Sequence, residues 1–187
     1  MGKIIYFTGG ARSGKSFQAE QYISNRYFSE KIYIATAIAF DKEMESRIEK
    51  HKKQREENWL VVEGYKNLQV KLSLYMKTQG VVLLDCLTNM VSNLMIVDKN
   101  INWDNISTAD LDEVEAEIIR ELESFLIFFK SSSMDLVVVS NEVGMGIVPA
   151  YPLGRYFRDI CGKANQLVGK YSDEAYLIIS GLKLKLK

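Results

Sequence analysis

The stretch Gly9-Gly10-Ala11-Arg12-Ser13-Gly14-Lys15-Ser16 decides how this chain folds, because it fits G-x-x-x-x-G-K-[ST] in full. Before it, Lys3-Ile4-Ile5-Tyr6-Phe7-Thr8 reads as a buried strand, and residues 17–27 behind it can run as a helix. Strand, glycine loop and helix in that order distinguish a phosphate site from a chance turn. Glycines let consecutive backbone N–H groups turn inward around a polyphosphate, where a Cβ would obstruct. The helix N-terminus adds partial positive charge. Lys15 is then expected to reach the β- and γ-phosphates, and the Ser16 hydroxyl to hold Mg²⁺.

Outward from this motif, short β-rich runs alternate with helical patterns. Residues 31–36 read as a strand, 41–57 as a charged helix with Asp41 at its N-cap, and 59–63 as a strand at an edge or in a hairpin. Leu68, Leu72 and Tyr75 keep helical spacing, and Val81-Val82-Leu83-Leu84 is a continuous apolar strand. A buried helix over 87–97 and a polar surface loop over 99–108 follow. Leu111, Val114, Ile118, Leu122, Phe125 and Phe129 form one face of a long helix, broken by serines 131–133 before the strand 136–140. Leu153, Phe157, Ile160, Ala164 and Leu167 make another helical stripe, and Tyr176-Leu177-Ile178-Ile179 is expected to close the sheet. These stripes are core. The alternation implies a single α/β domain over 1–187, a P-loop fold with a mostly parallel sheet flanked by helices.

Composition narrows the function. The 187 residues are 47% hydrophobic and 26% charged, with 24 lysines and arginines against 24 aspartates and glutamates. That balance counts against a nucleic-acid partner. No apolar run approaches the ~20 residues that span a bilayer. No basic flank with a small-residue cleavage site marks a signal peptide. Cys86 and Cys161 lie far apart, as expected of reduced thiols in a cytoplasmic protein.

In such a sheet the ligand sits at the carboxyl ends of the strands. Asp85 ends the run 81–84, where a second Mg²⁺-organising carboxylate belongs; a cap on the next helix is the alternative. Asp135 begins its strand and lies at the wrong end. The loop Val143-Gly144-Met145-Gly146-Ile147-Val148-Pro149 falls on the ligand-facing edge, as a substrate contact or as a simple turn. The only histidine, His51, lies among Lys50, Lys52, Lys53 and Arg55. Neighbouring cations keep an imidazole neutral and attract a triphosphate, although a solvated basic helix would look the same.

The chain resembles the bifunctional adenosylcobinamide kinase / adenosylcobinamide-phosphate guanylyltransferases of cobalamin assembly over nearly its whole length. The resemblance is carried by residues 8–16, by 33–37, and by Glu43, Met44, Arg47, Ile48, His51, Arg55 and Trp59. It continues through 84–88, 92–94, 141–149 and 155–160, then Gly162, Asn165 and Gln166. The Asn141-to-Pro149 string and the Phe157-Arg158-Asp159 segment are more specific than the P-loop. Departures occur at Lys42 and at Tyr151-Pro152, away from the P-loop and His51.

The resemblance implies a RecA-like fold assembled as a homotrimer. It implies that His51 becomes covalently guanylylated. It further implies nucleotide contacts at Gly9, Gly10, Ala11, Arg12, Ser13, Gly14, Lys15 and Ser16, at Ile34, Ala35 and Thr36, at Lys52, Lys53, Gln54 and Arg55, and at Glu63 and Asp85. The expected substrates are adenosylcobinamide and its phosphate, with ATP and GTP as donors and Mg²⁺ as cofactor. A P-loop kinase without guanylyl transfer and a RecA-like ATPase are the alternatives.

Overall fold

The computed structural model describes residues 1–38, 59–75, 79–97 and 99–187. Strand β1 (Ile4–Gly9) is buried along its whole length, because its side chains serve two cores at once. Ile4 and Tyr6 pack on one face of the sheet, Ile5 and Phe7 on the other. Helix α1 (Lys15–Ser24) follows, then β2 (Glu30–Ala35), β3 (Leu60–Glu63), α2 (Leu68–Ser73), β4 (Gly80–Asp85) and α3 (Leu87–Ile96). The chain ends with α4 (Thr108–Lys130), β5 (Asp135–Asn141), α5 (Pro152–Tyr171), β6 (Glu174–Ile179) and β7 (Leu182–Lys185).

The sheet order is β3-β2-β4-β5-β1-β6-β7. Every pairing is parallel except that of β6 with β7. Parallel strands need crossovers, and the helices that provide them cover both faces, as the alternating sequence implies. The central strands β4 and β5 are runs of valine and leucine with almost no exposure.

The long helix α4 buries Val114, Ile118, Leu122, Phe125 and Phe129 against this sheet. Its start is set by Ser107, whose hydroxyl accepts the Asp110 N–H at 3.1 Å. The polar stretch before it is the expected loop. Asp135 sits at the N-terminal edge of the sheet, where its carboxylate accepts the Lys3 N–H at 2.8 Å.

Two expectations change, and one open alternative is decided. Helix α1 begins at Lys15 rather than 17 and ends at Ser24, because Gly14, at φ 92°, turns the loop directly into the helix. Of the two alternatives for residues 60–63 the edge holds: they form a parallel strand beside β2 at the sheet edge. Ile179 does not close the sheet: β7 pairs antiparallel outside β6. The connecting residues Ser180 and Gly181 both have positive φ, 52° and 81°, the backbone a two-residue hairpin turn requires. The helix expected over 41–57 lies outside the described residues.

Candidate active site

The P-loop closes over the carboxyl end of β1. Gly9 is required by packing: a Cβ there would lie 2.4 Å from the Ile178 carbonyl oxygen and 2.8 Å from Ser13 Oγ. The Ser13 N–H donates to the Gly10 carbonyl at 3.2 Å, and Arg12 takes a left-handed φ of 56°. Gly14 offers no side-chain cap to α1. Within the helix, the first bond runs from the Gln18 N–H to the Gly14 carbonyl at 3.0 Å. The N–H groups of the preceding turn are therefore left for an anion.

Lys15 lies inside this loop and is only 8% exposed. Its ammonium donates to the Gly10 carbonyl at 3.1 Å. Burial pushes its pKa below the usual lysine value, while Cys86 and Asp85 pull the other way. A buried ammonium held by one neutral oxygen is a charge awaiting a counter-ion. Ser13 Oγ and, on β1, Thr8 Oγ1 are likewise buried with no hydrogen-bond partner.

Asp85 ends β4, two strands from Gly9 in the sheet order. Cys86, not Asp85, occupies the N-cap position of α3, and no side chain caps that helix. The capping alternative for Asp85 therefore fails, and its charge acts on the Lys15 ammonium. Ser16 stands one residue into α1. A hydroxyl and a carboxylate are hard oxygen donors of the kind Mg²⁺ takes alongside phosphate oxygens and water.

A buried polar floor supports these strand ends; of its members only Thr36 is an expected site residue, as a nucleotide contact rather than a support. Tyr33 donates through its hydroxyl to the Asp85 carbonyl at 3.0 Å, and Thr36 through Oγ1 to the Cys86 carbonyl at 3.0 Å. Asn93 Nδ2 donates to the Thr36 carbonyl at 2.6 Å, and Asn141 Nδ2 to Thr88 Oγ1 at 2.8 Å. Ser140 Oγ donates to Asn165 Oδ1 at 2.7 Å, and Asn165 Nδ2 to the Asn141 carbonyl at 3.1 Å. The available signal was a small polar residue ending each apolar strand run: Thr36, Ser140 and Asn141.

The remaining expected residues divide along the sheet edge. Ile34 is wholly buried in the core, and the Thr36 hydroxyl is committed to Cys86, which leaves Ala35 and the backbone of 34–36 for a ligand. Ala35, Glu63 and Asp85 stand level across β2, β3 and β4. Glu63 is exposed on the edge strand, four strand spacings from the P-loop strand, or about 19 Å at the usual ~4.8 Å spacing. His51, Lys52, Lys53, Gln54 and Arg55 lie outside the described residues. Cys86 and Cys161 are free and buried, and burial pushes the Cys161 thiol up to about 12, so neither is a nucleophile.

Known proteins resemble this chain over nearly its whole length. A family model described as cobinamide kinase / cobinamide phosphate guanyltransferase matches residues 5–186. The chain is 40% identical over 189 residues to the bifunctional adenosylcobalamin biosynthesis protein CobU of Escherichia coli (strain K12), covering 98% of this chain and 99% of that one. To the protein of the same description from Salmonella typhimurium it is 37% identical over 188 residues, with 98% and 99% covered. To CobP of Pseudomonas aeruginosa it is 33% identical over 179 residues, with 96% and 94% covered.

Among solved structures, an ATPase of the type III secretion system of pathogenic bacteria superposes with a TM-score of 0.61 at 8% identity. That match covers 99% of this chain and 57% of the ATPase. A Pyrococcus horikoshii OT3 protein reaches 0.51 at 7% identity, covering 98% of this chain and 85% of that one. At such low identity these two show the fold alone.

Proposed function

Because the chain belongs to the cobinamide kinase / cobinamide phosphate guanyltransferase family, we propose how its residues divide that family's two reactions. It is an enzyme of adenosylcobalamin biosynthesis with kinase and guanylyltransferase activities, and it uses nucleotide substrates. The observation that carries the residue assignment is the buried Lys15 ammonium, held inside an open anion cradle at the carboxyl end of β1.

In the kinase step, the N–H groups of the P-loop and the first turn of α1 hold the β- and γ-phosphates of ATP or GTP. Lys15 neutralises charge on the transferring group. Ser16 and Asp85 would hold Mg²⁺, which supplies further charge neutralisation on the phosphate oxygens when bound. The aminopropanol hydroxyl oxygen of adenosylcobinamide bonds to the γ-phosphorus, the bond to the nucleoside diphosphate breaks, and the hydroxyl proton passes to solvent. Positioning and electrostatics are the main contributions such a site makes.

In the transfer step, His51 attacks the α-phosphorus of GTP and releases pyrophosphate. The phosphate of adenosylcobinamide phosphate then takes the GMP, giving adenosylcobinamide-GDP. An imidazole nucleophile splits one difficult displacement into two. Lys52, Lys53, Gln54 and Arg55 would contact the nucleotide in this step, and so would Ala35 and Glu63 at the β2–β3 end of the sheet, whose distance from the P-loop supports two separate chemistries. We also place the protein in the cytoplasm as a homotrimer. The free cysteines support the first, and the open leucine edge of β7 supports the second.

Radiolabelled GTP tests this division. Label on the α-phosphate should stay with the denatured wild-type protein without any corrinoid, and label on the γ-phosphate should leave. The bond should be acid-labile and alkali-stable, as a phosphoramidate is. His51→Ala should lose the adduct yet still phosphorylate adenosylcobinamide, with GTP affinity measured alongside. An adduct that persists on the His51→Ala protein would refute the nucleophile. Its absence from the wild type, with phosphorylation intact, would leave a kinase alone.

A further inference from the structure

The loop from Glu142 to Tyr151 leaves β5 beside the phosphate cradle. Asn141 pairs with Gly9, and the Glu142 N–H donates to the Gly9 carbonyl at 3.0 Å. The loop is fixed at both ends. Val143 packs against the core, and the Asn141 carbonyl is gripped by Asn165. At the far end Arg155 Nη1 donates to the carbonyls of Pro149 and Ala150 at 3.2 and 2.6 Å. Gly154 lets Pro149 sit close, since a Cβ there would lie 2.7 Å from the proline ring.

Between these anchors the side chains do the opposite of what burial favours. Met145 is 79% exposed, Ile147 96%, Val148 60% and Tyr151 78%. A fixed loop that holds four large apolar groups in water has a surface ready to be covered. Met145 is three residue steps from Glu142, a span of at most ~11 Å, so this surface begins beside the place where the γ-phosphate is transferred.

We propose that Met145, Ile147, Val148 and Tyr151 form the platform on which the corrin ring of adenosylcobinamide rests while its aminopropanol arm reaches the γ-phosphate at the mouth of the phosphate cradle. The inference rests on the kinase reaction proposed above. The P-loop N–H groups are taken by the nucleotide phosphates, so only a narrow, flexible arm can approach the γ-phosphate there and the broad macrocycle must lie outside. Its methyl- and methylene-bearing periphery matches exposed aliphatic side chains, and an aromatic side chain can lie against a flat ring. The same surface has nothing to offer the polar triphosphate, which the cradle already holds.

The test separates corrinoid binding from catalysis. Equilibrium dialysis of adenosylcobinamide, followed by its visible absorbance with a non-hydrolysable GTP analogue present, compares wild type with Ile147→Ser and Met145→Ser. The expected result is a Kd for the corrinoid at least about tenfold weaker in each variant, the scale set by uncovering one large aliphatic side chain. The affinity for the GTP analogue, the melting temperature and the oligomeric mass should not change, and Ile147→Leu should restore corrinoid binding. Unchanged Kd values beside a wild type that binds and phosphorylates the corrinoid overturn the platform alone. Loss of oligomeric mass in the serine variants overturns it in favour of a second copy of this chain. A wild type that binds no corrinoid overturns the platform and the kinase reaction together.

Discussion

Lys15 shows what the site costs the fold. Burial lowers the pKa of its ammonium, so the folded protein holds that proton less tightly than the unfolded chain does. A lysine with a depressed folded pKa destabilises the fold while it stays charged. The cost is relieved as pH rises from the folded pKa toward the unfolded value of ~10.4. Lys15→Met should therefore melt at or above the wild-type temperature at pH 7, and the gap should narrow toward alkaline pH. The same variant should lose ~10²-fold or more of phosphorylation rate, since one preorganised charge contact is removed. A Lys15→Met protein that is less stable at every pH, yet phosphorylates adenosylcobinamide at the wild-type rate, would show that the ammonium serves packing. This residue was legible in the sequence because the P-loop pattern fixes backbone and side chain together. The Thr36, Asn93, Asn141 and Asn165 floor was not, because its bonds join β2, β5, α3 and α5 across long sequence separations.

Among elements, the joint between α4, β1 and β6 bears on how firmly β1 presents the P-loop. Asp173 Oδ2 accepts the Ile4 N–H at 2.7 Å, and both carboxylate oxygens accept from Lys130 at 2.7 Å. Burial alone would raise the Asp173 pKa, but these hydrogen bonds outweigh it and hold the carboxyl below its usual range. A depressed carboxylate stabilises the fold above its unfolded pKa of ~3.9 and loses that contribution as pH falls through the folded value. Asp173→Asn should cost about 1–2 kcal/mol in urea denaturation at pH 7, a range kept low because the pair is partly exposed to solvent. The deficit should vanish in acid below the folded pKa. A deficit unchanged by acid would mean that the substitution acts through packing.

The start of α4 offers a second check. Ser107→Ala should cost about 1 kcal/mol, with activity unchanged, because the lost bond caps a helix away from the cradle. The long, strongly periodic elements α4 and β5 were readable from the sequence. Strand β7 was not, since Leu182 and Leu184 are exposed and no core pattern marks them; only the alternation with Lys183 and Lys185 after Ser180-Gly181 does.

At the scale of the whole molecule, the parallel order places β1, β5 and β4 side by side at the centre, so that the P-loop, the apolar loop and Asp85 share one sheet edge. Beyond β4, strand β2 and the edge strand β3 carry Ala35 and Glu63 progressively further from the P-loop. Among the described residues no helix is long and apolar enough to cross a membrane. The family was legible because its strings 141–149 and 155–160 fall on this edge and on the helix behind it.

The central claim is that one chain first phosphorylates a corrinoid and then caps it with GMP, and a single time course tests it. Purified protein mixed with adenosylcobinamide, GTP and Mg²⁺ is sampled, and the corrinoids are identified by mass. The account predicts that adenosylcobinamide phosphate rises first and then falls as adenosylcobinamide-GDP accumulates. A corrinoid whose mass never changes, while the protein hydrolyses GTP, would contradict it.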